Sequence, residues 1–268
     1  MVYARGMSSQ QGRVRERFTR TAQQFASFSL TKRTAEAERL ADLAAAQLPD
    51  AARTVALDVA CGPGTFTTAL ASRVKFVHGL DLTPALLAQA RSAAEAAGIS
   101  NIVFHCGDAL ALPFRAAAFD LVCCGYSLHH MPHPAQAVAE MMRVVQPRGC
   151  VALVDLIVPP GADAALNNRI ERARDNSHTR TLAAEELVAL VERTGLRIIA
   201  QETGERWRNF DEWLRIGGWE PGDEAYRATR ALLDADLGRN ASGFHPRLSA
   251  DGALEFLQVS LFVFARPF

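Results

Sequence analysis

Three aspartates carry the first chemical signal in this chain of 268 residues. Asp58 lies in an apolar run with Val55, Leu57 and Val59, just before the turn Ala60-Cys61-Gly62-Pro63-Gly64. Asp81 ends a second run, Phe76-Val77-His78-Gly79-Leu80, and Asp108 follows a third, Asn101 to Cys106. A glycine turn between a strand and a helix leaves backbone N–H groups free for a polar or anionic ligand. A carboxylate at the strand end changes that ligand, because it repels a pyrophosphate and attracts an ammonium group. Asp81, brought beside the turn by parallel pairing, can accept both hydroxyl protons of a ribose. Asp108 can accept from the exocyclic amine of a base, with the Ala109 N–H as an adjacent donor. Alone, each aspartate is as well explained as a cap or loop residue. Together they suit a nucleoside that carries a positive centre. The stretch has neither the full G-x-G-x-x-G pattern nor a Lys-Ser or Lys-Thr after the turn, so it is not a P-loop.

The second signal is a pair of histidines, His129 and His130, after a fourth apolar run, Phe119 to Gly125. An imidazole near neutrality can take a proton from an acceptor. His130 is the preferred base, since His129 can turn toward the scaffold. His178, within Arg174-Asp175-Asn176-Ser177-His178-Thr179-Arg180, is a second candidate base. Tyr126, Asp155, Arg174 and Trp213 are candidates for a substrate pocket, with packing or solvation as the competing role for each. The aromatics from Trp207 to Trp219 either line an apolar acceptor pocket or pack a cap. The cysteines Cys61, Cys106, Cys123, Cys124 and Cys150 lie in or beside strands and have no metal-ligand spacing. They read as buried thiols of a reducing compartment, and no metal site is expected.

Elements must position these groups. Near-continuous apolar strands alternating with helices imply a parallel sheet covered on both faces, with ligands at the carboxyl ends of its strands. Strands are expected at Val55–Val59, 76–81, 101–106, 119–125, 150–158 and 196–200, and a terminal strand at 259–265. Helices are expected over 33–48, from Thr83 to about Ala97, after Pro134, over 182–194 and over about 223–237. Residues 1–12 read as a flexible tail, and 13–30 as a short helix or folding lid with Phe18 and Phe25. The polar stretch 161–181 reads as an insertion above the sheet. The division expected is 1–49 as tail and helical lid. Residues 50–268 form the catalytic domain, with cap elements at about 161–181 and 207–250.

Composition narrows the partners. Hydrophobic residues are 49% and charged residues 22%, and 29 basic side chains balance 29 acidic ones. Zero net charge gives no global attraction to nucleic acid or an anionic membrane. No apolar run has transmembrane length, and no secretory apolar core stands at the N-terminus, so a cytoplasmic location is expected.

The sequence resembles the class I S-adenosylmethionine-dependent methyltransferases, nearest to small-molecule enzymes such as the quinone-biosynthesis C-methyltransferases. The resemblance runs over about residues 50–158. It is carried by Leu57-Asp58-Val59-Ala60-Cys61-Gly62-Pro63-Gly64, by Gly79-Leu80-Asp81-Leu82-Thr83 and by Gly107-Asp108-Ala109 with Leu112-Pro113-Phe114. Phe119-Asp120-Leu121-Val122, Leu128-His129-His130 and Met142-Arg143-Val144-Val145-Gln146-Pro147-Arg148-Gly149-Cys150 extend it. It implies a Rossmann-like α/β fold with a seven-stranded, mostly parallel sheet, an antiparallel last strand beside the fifth, and an N-terminal lid. It implies S-adenosyl-L-methionine as cofactor and S-adenosyl-L-homocysteine as product. Asp58, Cys61, Gly62 and Gly64 would serve the methionyl end, Asp81 the ribose, Leu82, Asp108 and Ala109 the adenine, and Gly125 would border the sulfonium. The family often has a lid tyrosine, where Phe25 here offers shielding without a hydroxyl. It often has glycine at position 60, where Ala60 fits if its backbone is not left-handed. The acceptor implied is a small, partly apolar, aromatic or quinone-like molecule, methylated at carbon or, alternatively, at a phenol or carboxylate oxygen. A nucleoside-binding scaffold without turnover is the rival from another class, and no nucleic-acid motif supports an RNA acceptor.

Overall fold

The apolar runs pair into one sheet in the computed structural model, which describes residues 9–268. Its principal strands are β1 (Val55–Val59), β2 (Phe76–Asp81), β3 (Ile102–Cys106), β4 (Phe119–Gly125), β5 (Val145–Val158), β6 (Leu196–Asn209) and β7 (Leu254–Pro267). They lie in the order β3-β2-β1-β4-β5-β7-β6. β1 to β5 pair in parallel, and β7 is antiparallel to both β5 and β6. This is the seven-stranded, mostly parallel sheet expected, with its last strand inserted beside β5. Two-residue strands at Leu182–Ala183 and Arg247–Leu248 extend its margins. Strand order reverses between β1 and β4, so a crevice opens above their carboxyl ends.

The helices are α1 (Ser9–Arg20), α2 (Ala22–Lys32), α3 (Thr34–Ala46), α4 (Thr65–Ala71), α5 (Pro84–Ala96), α6 (Pro134–Val144), α7 (Ala164–Arg174), α8 (Ala184–Arg193), α9 (Phe210–Ile216) and α10 (Glu224–Asp236). One sheet face packs Leu57, Val122 and Val263 against α6 and α8 through Met141 and Val191. The other packs Ala56, Val77 and Phe262 against α3 and α4 through Leu40 and Leu70. A third cluster joins α9 and α10 to the start of β7 through Phe210, Trp213, Leu233 and Phe256.

The differences from sequence have local causes. Residues 9–12, read as tail, begin α1; residues 1–8 of that tail lie outside the described residues. The expected strand from Cys150 begins at Val145 and carries Gly149 inside it, where a Cβ would sit 2.6 Å from the Asp120 carbonyl oxygen. β6 runs to Asn209 rather than Ala200 because its distal half pairs only with β7 and turns its polar side chains to solvent. The stretch 161–181 contains α7, whose inner face is polar: Asn167, Asn168 and Glu171 are buried beside Ile170. Its start is capped by Asp163, which accepts from the Ala165 and Leu166 N–H groups at 2.9 and 3.1 Å. Cys106 is exposed, unlike the other four thiols.

The segment expected as a lid splits in function. α1 and α2 face the crevice, whereas α3 supplies Leu40, Ala41 and Ala44 to the core. Leu40→Ala should therefore lower global stability by about 2–5 kcal/mol, the range for a fully buried leucine. Urea unfolding followed by circular dichroism checks this, and an unchanged midpoint would show that α3 is peripheral.

Candidate active site

The crevice holds two cavities that share a wall. The outer one, about 930 Å³ with its open mouth, lies over the β1 turn. Cys61, Gly62, Asp81, Leu82, Asp108 and Ala109 line it, and Gly125 stands at its inner end. Gly62 and Gly64 are left-handed, at φ +55° and +85°, so the backbone folds tightly into α4. Ala60 is also left-handed, at φ +56°. The expectation of an ordinary backbone angle there is thus corrected: this turn holds an alanine in a conformation costing about 1–2 kcal/mol.

Asp81 is fixed by two backbone donors. Gly62 N–H donates to Oδ2 at 2.8 Å, and Thr83 N–H donates to Oδ1 at 2.7 Å. Each oxygen retains a lone pair facing the cavity's ligands. Burial raises the Asp81 pKa against those two hydrogen bonds. Asp108 accepts from Leu110 N–H at 2.9 Å and from the lid residue Gln11 Nε2 at 2.5 Å. Asp58 lies beneath the turn and lines neither cavity. It is 1% exposed, and Thr67 Oγ1 donates to it at 2.6 Å. Burial pushes its pKa up to about 7, with Thr67 opposing and the charge of Asp81 adding. Its influence on a ligand passes through the turn. Gly64 likewise shapes that turn from outside the lining. Burial pushes the Cys61 thiol well up, so it stays protonated.

The inner cavity, about 450 Å³ with the open space at its mouth, meets the outer one at Phe18, Phe25, Arg33, Tyr126 and His130. Trp213, Phe28, Leu156 and Ile216 give it apolar walls, and Arg174 and His129 reach it. His129 is held by Asp155, with Nδ1 2.5 Å from Oδ1 and its backbone N–H 3.1 Å from Oδ2. His130 Nδ1 lies 3.1 Å from the Ser177 carbonyl oxygen. That acceptor fixes the proton on Nδ1 and leaves Nε2 with its lone pair. Burial, with His129 adding, lowers the His130 pKa to about 3, so the ring is neutral. Tyr126, at φ +52°, hydrogen-bonds Ser260 through its hydroxyl at 3.0 Å.

His178 is not brought to either cavity. Its Nε2 lies 3.0 Å from Asn168 Oδ1, its Nδ1 is buried without a partner, and burial lowers its pKa to about 2. It packs behind His129, with ring centroids 5.6 Å apart. The aromatics after Trp207 divide. Trp213 lines the inner cavity and Phe210 is core, while Trp219 donates to the Arg174 carbonyl at 2.7 Å and Trp207 is 43% exposed.

Residues the sequence reading missed come mainly from the lid and β6. Gln10 donates to the Ser177 carbonyl at 2.6 Å, and Arg17 pairs with Asp175 at 2.8 Å, so α1 is fastened to the loop after α7. Burial pushes the Asp175 carboxyl up, but Arg17, His130 and Arg174 outweigh it and hold the carboxyl low. Arg33 and Arg208 also line the inner cavity. Arg208 becomes readable only when β6 is extended, since alternation then turns it inward while Trp207 points out.

Known proteins resemble this chain in sequence and fold. Residues 57–153 match the methyltransferase-domain family. The uncharacterised Escherichia coli K12 protein YafE is 33% identical over 174 residues, covering 64% of this chain and 79% of YafE. The chain belongs to the class I S-adenosylmethionine-dependent methyltransferases. The uncharacterised methyltransferase YcgJ of Bacillus subtilis 168 is 32% identical over 167 residues, and the match spans 60% of this chain and 64% of YcgJ. A demethylmenaquinone methyltransferase of Shouchella clausii is 38% identical over 116 residues, which is 42% of this chain and about half, 49%, of that enzyme. A solved structure of a candidate methyltransferase from Bacillus halodurans C-125 superposes with a TM-score of 0.77 at 26% identity. It covers 87% of this chain and 100% of that one.

The residues of this methyltransferase fit its cofactor. S-adenosylmethionine brings an ammonium, a sulfonium, a ribose diol and an adenine amine, each a donor or cation. The outer cavity answers with the carboxylates of Asp81 and Asp108 and the buried field of Asp58. No helix among the described residues is long and apolar enough to cross a membrane.

Two outcomes follow for these carboxylates. Asp81→Ala should weaken S-adenosylhomocysteine binding at least about tenfold, the loss of hydrogen bonds to a charged acceptor; calorimetry on the folded variant reads this, and parental affinity would reject the ribose role. Asp58 has a folded pKa near 7 and an unfolded one near 4. Its contribution to stability is present below the unfolded value and is lost as pH rises to 7. Asp58→Asn removes that loss, so from pH 5 to pH 8 the parent should lose about 2–3 kcal/mol more than the variant. Parallel urea-unfolding curves for the two proteins would sink the assignment.

Proposed function

We propose that this chain transfers the methyl group of S-adenosylmethionine to a carbon of a small, partly apolar acceptor of aromatic or quinone-like type. The observation that carries the reading is the inner cavity, which sets Phe28, Leu156, Trp213 and Ile216 beside arginines and shares His130 and Tyr126 with the cofactor cavity. The similarity to a demethylmenaquinone methyltransferase supports a quinone-like acceptor. The cofactor supplies an electrophilic methyl group on its sulfonium. The chain supplies orientation and a dry wall, which account for much of the rate in such a displacement. Phe18 and Phe25, stacked edge to face at 5.0 Å, exclude water between the cavities. Gly125 and Tyr126 set the depth at which donor and acceptor meet.

The choice of carbon over oxygen rests on His130. A neutral imidazole with a pKa near 3 is too weak to ionise a phenol. It is strong enough to take the acidic proton left on a carbon that has just been methylated, since loss of that proton restores aromaticity. Nε2 of His130 is the receiving atom, and the Nδ1–H bond to the Ser177 carbonyl holds the ring in the receptive tautomer. His129, pinned by Asp155, positions its neighbour.

Incubation with labelled cofactor and a metabolite extract, followed by mass analysis of products, tests the reading. A carbon-methylated small molecule is expected. Cofactor binding with no transfer to any extract component would favour a nucleoside-binding scaffold instead. His130→Ala should lower kcat about 10²–10⁴-fold with cofactor affinity preserved. Transfer at the parental rate in the folded variant would reject the base role.

A further inference from the structure

The inner cavity carries more positive charge than its carboxylates balance. Arg17, Arg33, Arg174 and Arg208 all line it. Arg17 sits 2.8 Å from Asp175, and Arg174 lies 3.5 Å from Glu171 and 3.8 Å from Asp175. Those two cations are matched by two carboxylates. Asp155 is engaged by His129 at 2.5 Å. Glu36 and Glu212, whose fields reach the remaining pair, are taken by Arg206 at 2.9 Å and Lys32 at 3.1 Å.

The guanidinium groups of Arg33 and Arg208 are left with no ion pair and no hydrogen bond among the described residues. Residues 1–8 contain no Asp or Glu. Arg208 is 4% exposed, and its nearest partner by ring geometry is Phe28, 4.6 Å from the guanidinium carbon. Arg33 lies 4.0 Å over the ring of Tyr126 and 5.8 Å from that of Phe28. Burial, with Arg33, Arg206 and Arg174 adding, pulls the Arg208 pKa down to about 9, so it remains charged at neutral pH. A buried guanidinium that meets only aromatic faces leaves its five donors unused, and an uncompensated buried charge is costly. The planar fork of arginine matches a carboxylate two bonds at a time.

We infer that the acceptor bears a carboxylate, held in the inner cavity by Arg33 and Arg208. This rests on the inner cavity being the acceptor site of the proposed methyl transfer. The aromatic body of the acceptor then lies among Phe18, Phe25 and Trp213, and its far end reaches His130 at the shared wall. Burial of both charges together makes each worth more than at a surface, and makes a neutral analogue a poor substitute.

Calorimetry on the full chain loaded with S-adenosylhomocysteine tests this without requiring turnover. The probes are benzoates, cinnamates and naphthoates, each beside its own carboxamide. At least one carboxylate should bind about tenfold or more tightly than its amide. Arg208→Leu should abolish that preference and leave S-adenosylhomocysteine affinity as in the parent, since Arg208 touches only the inner cavity. Arg208→Lys should recover part of it, and if the first variant fails to fold, Arg33→Leu repeats the acid-against-amide comparison alone, because Arg33 lines both cavities. Equal binding of every acid and amide, or a preference that survives both leucine variants, would overturn the inference. Carboxylate binding without any methylation would count against the methyl-transfer reading alone. Methylation confined to uncharged acceptors would count against the carboxylate alone.

Discussion

The hydrogen bond from Gly62 N–H to Asp81, 2.8 Å long, joins the two strand ends on which the whole site depends. It exists because β1 and β2 pair in parallel with Val59 opposite Leu80, so the turn after one strand meets the last residue of the other. A carboxylate buried there is costly, and the N–H groups of Gly62 and Thr83 offset that cost. They also aim the remaining lone pairs into the cavity. The left-handed turn is the other half of the constraint. It brings Gly62 N–H to Asp81 and starts α4 at Gly64, and Ala60 accepts strain to complete it.

Much of this was legible because parallel strands buried on both faces read as short apolar runs. β2 and β4 begin and end where those runs do, Asp81 stands at the end of β2, and Asp108 follows β3. The legibility fails where burial is not apolar. β6 beyond Ala200 reads Gln201-Glu202-Thr203-Gly204-Glu205-Arg206, a solvated ribbon with no hydrophobic period, so Arg208 was hidden with it. α7 turns asparagines and a glutamate inward, bonded to chain segments far away in sequence, such as Asn167 to the Ser242 carbonyl at 2.9 Å. Such partners cannot be inferred from local pattern. His178 reads as a second candidate base, with solvation of a loop by its charged neighbours as the alternative. In the fold those neighbours serve the lid, and the ring itself bonds Asn168.

The lid and the cap act as one closure. Gln10 bonds the carbonyls of His130 and Ser177, and Arg17 pairs with Asp175, while the Thr179 N–H bonds the His129 carbonyl at 2.8 Å. The histidine turn is thereby clamped between α1 and the loop after α7. Gln11 reaches Asp108 from the same helix. The elements that cover the outer cavity therefore also set the walls of the inner one, and Phe18 and Phe25 belong to both. Shielding the donor and shaping the acceptor site are a single packing event.

The two cavities differ most in charge. The outer one has Asp81 and Asp108 in its lining and Asp58 beneath its turn, the inner one has Arg208, and Arg33 stands on the wall they share. A cationic donor is attracted to the carboxylates of the first, and the carboxylate-bearing acceptor inferred above is attracted to the arginines of the second. Opposed fields of this kind give specificity by rejection as well as by attraction, because each ligand placed in the wrong cavity meets like charge in a low-dielectric site. The wall between the cavities carries Tyr126 and His130, whose side chains are uncharged at neutral pH, beside the guanidinium of Arg33. That neutrality matters at the shared wall. A protonated His130 would set a cation beside the sulfonium, and burial that keeps the ring neutral removes that repulsion.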